Sequence, residues 1–242
     1  MEAIILAGGM GTRLQSVVKE VPKPMAGING KPFLAYLLDH LAKYEIEKVV
    51  LSVGYKHTII QDYFKQNYRN IRIVYAVENE ALGTGGAIVA SLKHVDDNDV
   101  LVLNGDSYFD IDIKKLYNRH RELNGDITIS LKYMRDFDRY GTVKIINNKI
   151  VGFAEKSFTK AGYINGGIYA VNKDMFHKNN CRGKFSFEND LLHKTIDNLN
   201  IYPFIGDGYF IDIGIPEDYQ KAQYDFNLFE QVRSAKRNLS MF

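Results

Sequence analysis

The chain has 242 residues, 45% of them hydrophobic and 25% charged, with a formal net charge of +2 at neutral pH. That is enough for one large α/β domain or two small ones with a real core, and too little charge for a nucleic-acid binder that works by bulk electrostatics. A single cysteine, Cys181, excludes an internal disulfide and a multi-cysteine zinc site and fits a reduced compartment. The start Met1-Glu2-Ala3 carries no basic region ahead of an apolar run of signal-peptide length. No stretch approaches the ~20 apolar residues of a membrane span. The expectation is a soluble cytoplasmic protein with neither a membrane nor a nucleic acid as partner.

The apolar run Ala3-Ile4-Ile5-Leu6 reads as a short buried strand. It leads into Leu6-Ala7-Gly8-Gly9-Met10-Gly11-Thr12-Arg13-Leu14. Three glycines in four positions bare the backbone and let its N–H groups approach an anion. Arg13 adds a permanent cation whose planar fork suits phosphate oxygens. The stretch reads as a phosphate cradle at the carboxyl edge of the first strand, where open α/β sheets place ligands. A dinucleotide fingerprint needs another glycine three residues after Gly11, and this chain has Leu14 there. A Walker loop is excluded as well, since Gly27 to Pro32 has the wrong spacing.

Farther on, Pro22-Lys23-Pro24 stiffens the backbone around one lysine. A helix follows from about Pro32 with the stripe Phe33, Leu34, Leu37, Leu38 and Leu41. Lys48 to Val53 reads as strand, His57 to Phe64 as helix and Ile71 to Val77 as strand. This is the β-α-β-α-β pattern of a parallel doubly wound sheet. Leu82-Gly83-Thr84-Gly85-Gly86-Ala87 then opens a helix from Ala87 to about Lys93, with N–H groups expected to be free for a ligand. Strand Val100 to Leu103 stops at Asn104-Gly105-Asp106, which places a carboxylate on the ligand edge. A Mg²⁺-triphosphate needs such a hard oxygen donor. Asp110-Ile111-Asp112 reads as a helix-entry turn, where aspartate usually caps.

The second half is rich in strands: Asp126 to Tyr133, Gly141 to Ile146, Lys149 to Glu155, Tyr163 to Val171 interrupted at Asn165-Gly166-Gly167, Ile201 to Ile205 and Tyr209 to Ile213. Helices are expected at Glu188 to Leu199 and Pro216 to Phe229. This half predicts a mixed extension of the sheet. The tail, with Val232, Arg233, Lys236, Arg237, Leu239 and Phe242, reads as an amphipathic docking helix.

Seven segments in one order resemble the sugar-1-phosphate nucleotidylyltransferases: Leu6 to Leu14, Pro22 to Pro24, Leu82 to Ala87, Asn104 to Asp106, Glu155-Lys156, Asn165 to Tyr169, and Asp212 to Tyr219. They span almost the whole chain. Two departures are Ser157, where the family often has proline, and the lack of room for a C-terminal left-handed β-helix. The resemblance implies a Rossmann-like, doubly wound mixed sheet of the nucleotide-diphospho-sugar transferase type in a single domain. An NTP-binding half would span 1–110 and a sugar-phosphate half 111–228, with a helix or tail at 229–242. It also implies transfer of a nucleoside monophosphate from an NTP to a sugar 1-phosphate for surface polysaccharide synthesis. GTP is the expected nucleotide, and D-glycero-α-D-manno-heptose 1-phosphate or mannose 1-phosphate the expected acceptor.

By that resemblance Arg13, Lys23 and Lys156 are the catalytic cations. Leu6, Ala7, Gly8, Gly9, Gly11, Thr12, Gly83, Thr84 and Asn104 join Arg13 and Lys23 around the nucleotide. Glu78 and Glu80 stand near the base, where a carboxylate acceptor would select guanine. Gly105, Glu155, Asn165, Gly166, Gly167 and Glu188 join Lys156 around the sugar phosphate, and Asp106 and Asp212 hold Mg²⁺. A uridylyl- or thymidylyltransferase of the same family is the alternative, as is a nucleotide-sugar-binding regulatory subunit without catalysis. An NAD oxidoreductase is disfavoured by the missing glycine. A glycosyltransferase would use Asp110-Ile111-Asp112 as its metal motif. Assembly is left open, a homodimer included.

Overall fold

β1 (Glu2–Leu6) is buried on both faces, as its unbroken apolar run requires. Ala3 and Ile5 point into one core, and Ile4 points into the other. The computed structural model describes residues 1–9, 11–14 and 16–239. The chain continues through two 3-10 turns, Thr12–Leu14 and Lys23–Met25, and the small ribbon β2 (Gly27–Ile28) with β3 (Lys31–Pro32). It then enters α1 (Phe33–Leu41). Next come β4 (Lys48–Val53), α2 (His57–Phe64), the two-residue β5 (Asn67–Tyr68), β6 (Ile71–Val77), α3 (Gly83–Ser91) and β7 (Asp99–Asn104). The predicted stripe of α1 is buried along its length.

β8 (Ser107–Phe109) and α4 (Ile113–Glu122) open the second half. They lead to β9 (Ile127–Phe137), β10 (Val143–Ile146), β11 (Lys149–Phe153), β12 (Thr159–Asn172) and α5 (Asp174–Lys178). β13 (Ile201–Gly206), β14 (Phe210–Asp212) and α6 (Pro216–Leu239) complete the chain. The main sheet has eight strands in the order β13-β9-β12-β7-β1-β4-β6-β5. β7, β1, β4 and β6 run parallel, and β12 enters antiparallel to both β7 and β9. The predicted mixed extension is therefore present. α1, α2, α4 and α6 cover one face, while α3 and α5 cover the other. Among the described residues no helix is long and apolar enough to cross a membrane.

Five elements differ from the sequence reading. The expected helix Glu188 to Leu199 is a single wide turn, Phe187–Leu192, and a 3-10 turn, Ile196–Asn198. Thr195 donates both its N–H and its Oγ1 to Leu191 O, at 2.9 and 2.7 Å, and Asn198 N–H donates to Thr195 O at 2.9 Å, so the bonding tightens to 3-10 spacing there. α3 begins at Gly83 rather than Ala87, so its glycines form the first turn. α4 and α5 carry no expectation in the sequence beyond the helix entry at Asp112, whose carboxylate does cap by accepting the Lys115 N–H at 3.0 Å. The helix expected over Pro216 to Phe229 runs on to Leu239. It docks through Ala222 and Phe226, the latter against Tyr36 and Tyr108. The side chains of Val232, Arg233, Lys236, Arg237 and Leu239, and all of Phe242, lie outside the described part, and the amphipathic reading of the tail lies there with them.

Candidate active site

From β1 the chain winds to β4 on one side of the sheet and later returns to β7 on the other. Leu6, the last residue of β1, faces Asn104, the last of β7. Connections that leave in opposite directions open a crevice at the carboxyl ends of such strands. Here a cavity of about 480 Å³ is lined by Leu6, Gly8, Gly9, Gly11 and Arg13 from the first loop. Lys23, Glu78, Gly83, Thr84, Asn104, Gly105, Asp106 and Glu188 complete most of its wall. Two other residues expected on the nucleotide side stand apart. Ala7 is fully buried behind the wall and donates its N–H to Ser52 O at 2.8 Å. Glu80 is exposed away from the lining. The Thr12 side chain and Met10 lie outside the described part.

Lys23 is the centre of this cavity. Pro22 is extended, with φ −66° and ψ 151°, and delivers Lys23 into its 3-10 turn. Gly11 adopts φ +60°, and a Cβ there would stand 2.7 Å from Lys23 Cβ, so a glycine lets the lysine stem pass beneath the cradle. Lys23 Nζ lies 2.6 Å from Asp106 Oδ2 and 3.8 Å from Asp212 Oδ1. The carboxylates meet because β14 pairs with β8, setting Asp212 opposite Ser107, while Ile213 N–H donates to Asp106 O at 2.9 Å. Burial raises the Asp212 pKa above the ordinary carboxylate value, and the charge of Asp106 adds to this; Lys23, the Gly214 N–H and Arg139 oppose it. Burial and the same Asp212 charge push Tyr140 up to about 12. Two carboxylates beside a glycine-rich loop fit a hard divalent cation, which commonly takes one or two carboxylates and completes its shell with phosphate and water. Among the described residues no set of three metal-ligating side chains gathers anywhere.

A second cavity, of about 210 Å³, lies between β11, β12 and the Phe187–Leu192 turn. Glu155, Lys156, Asn165 and Glu188 line it, with His193 stacked on Phe153 at 4.8 Å. Glu188 also lines the first cavity, so one carboxylate borders both. Glu155 and Lys156 sit on the exposed loop between β11 and β12. Gly166 and Gly167 lie at the irregular register between Asn165 and Tyr169, packed on Phe109, Ser130 and Asn104 rather than lining either cavity.

Two expected contacts are already used within the protein. Two first-turn amides of α3 are not free, because Gly85 N–H and Gly86 N–H donate to Phe185 O at 3.0 and 3.4 Å. Their glycines permit this approach: a Cβ on Gly85 would stand 2.0 Å from the Phe185 ring, and one on Gly86 2.4 Å from Gly183 O. Asn165 accepts the Gly167 N–H at 2.9 Å and donates to the Tyr169 hydroxyl at 2.8 Å, so both ends of its amide are engaged. Tyr169 enters the sequence reading only as the end of the Asn165 to Tyr169 segment and Ser52 not at all, yet both bond to carboxylates that line the first cavity. Ser52 donates to Glu78 Oε1 at 3.0 Å. Tyr169 is fully buried, and burial, then the Glu188 charge, hold its hydroxyl pKa well above the usual tyrosine value. Of the two aspartates of Asp110-Ile111-Asp112, one caps α4 and the other faces His40 at 3.5 Å; neither lines the crevice.

Fold and crevice together define an α/β protein with a lysine–carboxylate centre under a glycine-rich loop at the carboxyl edge of its sheet. The chain matches the nucleotidyl transferase family over residues 2–227, and it belongs to that family. It is 49% identical to the D-glycero-alpha-D-manno-heptose 1-phosphate guanylyltransferase of Aneurinibacillus thermoaerophilus, across 92% of this chain and 97% of that protein. Against the protein of the same name from Campylobacter jejuni it is 51% identical, across 90% and 97%. The crystal structure of HddC from Yersinia pseudotuberculosis complexed with GMP-PN matches with a TM-score of 0.83 at 40% identity, covering 93% of this chain and 99% of that one.

Proposed function

We propose that the chain transfers a guanylyl group from GTP to a sugar 1-phosphate and releases pyrophosphate. D-glycero-α-D-manno-heptose 1-phosphate is the first acceptor and mannose 1-phosphate the second. The product, a GDP-sugar, would be a cytoplasmic donor for surface polysaccharide. The observation that carries this reading is the Lys23–Asp106–Asp212 cluster under a glycine cradle, with a second polar cavity reached across Glu188. The substrates and the acceptor sugar follow the relatives at 49% and 51% identity.

The acceptor phosphate is already anionic near neutral pH, because the second pKa of a phosphate monoester is near ~6. No general base is then required, and the task reduces to bringing two polyanions together and countering charge in line. Arg13, exposed at the mouth of the first cavity, would meet the leaving β- and γ-phosphates. Lys23 would serve the α-phosphate, and Lys156 the acceptor phosphate. Asp106 and Asp212 would hold Mg²⁺ with triphosphate oxygens; when bound, that ion neutralises charge on the phosphates. Glu78 would accept the N1–H and N2–H₂ donors of guanine. The Ser52 hydroxyl and the Leu82 N–H, at 3.0 and 3.3 Å, already hold its carboxylate as an acceptor. The N-terminal half would thus carry the NTP and the second half most of the sugar phosphate, with Glu188 crossing between them.

Each of the four NTPs, offered with Mg²⁺ and a panel of sugar 1-phosphates, tests the reading by product mass. GDP-sugar with pyrophosphate is expected. A higher kcat/KM with UTP or dTTP for every acceptor would refute the base assignment, and no pyrophosphate from any pair would refute the transferase reading.

A further inference from the structure

Glu188 stands between the two cavities with both carboxylate oxygens held, one from each side of the crevice. Thr84, in the first turn of α3, donates its hydroxyl to Oε2 at 3.0 Å. Tyr169, on β12, donates its hydroxyl to Oε1 at 3.1 Å. The direction of both bonds is fixed by what else the hydroxyls touch. Thr84 Oγ1 accepts the Phe187 N–H at 2.8 Å, so its single proton is left for Glu188. The Tyr169 oxygen accepts the Asn165 amide at 2.8 Å, and that amide is oriented by the Gly167 N–H. Both protons therefore point at Glu188, whose oxygens act as acceptors with lone pairs left toward the cavities. An acceptor-only group beside a phosphate cradle is suited to sugar hydroxyls and unsuited to phosphate.

We infer that Thr84 and Tyr169 are positioning residues that aim Glu188 at a hydroxyl of the acceptor sugar, and that this clamp sets acceptor specificity. The inference rests on the transferase reading above. It also reassigns Thr84: its hydroxyl proton and one lone pair are already engaged, so it serves the sugar side although it sits on the nucleotide-side helix. A missing hydroxyl on the substrate leaves a held polar group unpaired, which discriminates far more strongly than a missing methylene.

The test measures GTP affinity by calorimetry without acceptor, then KM and kcat at saturating GTP. The acceptors are mannose 1-phosphate and its mono-deoxy analogues. Wild type should discriminate against at least one deoxy analogue by roughly tenfold or more, as one lost charge-assisted hydrogen bond implies. Thr84→Val should raise KM for the parent acceptor by roughly tenfold and flatten that discrimination, with GTP affinity within about twofold of wild type. Thr84→Ser should restore both. Tyr169→Phe keeps the ring packing and should flatten the same discrimination, which covers the case in which Thr84→Val fails to fold. Weakened GTP binding in Thr84→Val with acceptor discrimination intact would overturn the clamp, as would full discrimination in Tyr169→Phe. A wild type that releases no pyrophosphate with any acceptor would instead refute the transferase reading and the clamp with it.

Discussion

Replacing Lys23 with methionine keeps most of the stem and removes the ammonium from between two carboxylates. At 3.8 Å and an effective dielectric of about 20, a unit pair attracts by roughly 4 kcal/mol before desolvation is counted. The net value of a charge-assisted hydrogen bond is smaller, about 1.5–3 kcal/mol. The Lys23 side chain is 11% exposed, whereas Asp106 is 37% exposed, so water recovers part of the loss on the carboxylate side. That puts the fold penalty near the lower end, about 1.5 kcal/mol, or a Tm lower by about 3–6 °C for a chain of this size. The chemical penalty should be larger, since one preorganised group on a transferring phosphoryl centre is worth about 10²–10³ in kcat. Thermal melts and a pyrophosphate-release assay separate the two effects at a temperature where the variant is folded. Lys23→Arg retains the charge in a different shape, so it should recover stability more than turnover. A folded Lys23→Met protein with kcat within threefold of wild type would refute the role given to this residue.

Four further outcomes are expected. Lys156 is exposed on a loop, so Lys156→Ala should leave Tm nearly unchanged while raising the sugar-phosphate KM by about ten- to a hundredfold and sparing GTP binding; calorimetry with GTP alone would reveal the opposite pattern. Asp106→Asn should nearly abolish product formation in a folded protein, and a near wild-type rate at limiting Mg²⁺ would remove Asp106 from the metal site. Gly86→Ala drives a Cβ to 2.4 Å from Gly183 O, a backbone atom, so overpacking of about 1–3 kcal/mol should lower Tm and raise the acceptor KM by shifting Glu188; an unchanged melt would show that the 183–187 segment yields freely. His120 is buried against Thr128 at 3.0 Å, and desolvation lowers its pKa, with Asp99 opposing. The unfolded chain then takes the proton more readily, so its contribution to stability is full above about pH 6.5 and falls as pH drops below it. The Tm difference between about pH 7.5 and pH 5.5 should shrink in His120→Gln, and an unchanged difference would place the acid sensitivity in other groups.

The first half of the fold is legible in the sequence because it obeys simple periods. β4, α2 and β6 fall on the expected boundaries, since continuous apolar strands alternate with a short amphipathic helix. α4 has the right spacing, Ile113, Leu116, Tyr117 and His120, but two of its four buried positions are a tyrosine and a histidine, which blur an apolar stripe. The turn at Phe187–Leu192 fails differently. Glu188 within it bonds to Thr84 and Tyr169, tertiary contacts that no local period encodes. The site shows the same division. Glycines and charges at strand ends mark Gly8 to Arg13, Lys23 and Asp106 as candidates. Their pairing across 83 residues is visible only in the folded chain, as is the Thr84–Glu188 bond across 104. Phe185 O, which takes two of the α3 amides that the glycine-rich stretch marks as free for a ligand, has no signature in the sequence.

The fate of the α-phosphorus of GTP tests guanylyl transfer most directly. With GTP labelled at the α-position, Mg²⁺ and D-glycero-α-D-manno-heptose 1-phosphate, the label should appear entirely in the GDP-sugar, with unlabelled pyrophosphate released in equal amount. Label recovered as GMP with the sugar phosphate untouched, or GDP formed while the γ-phosphate passes to the acceptor, would contradict it.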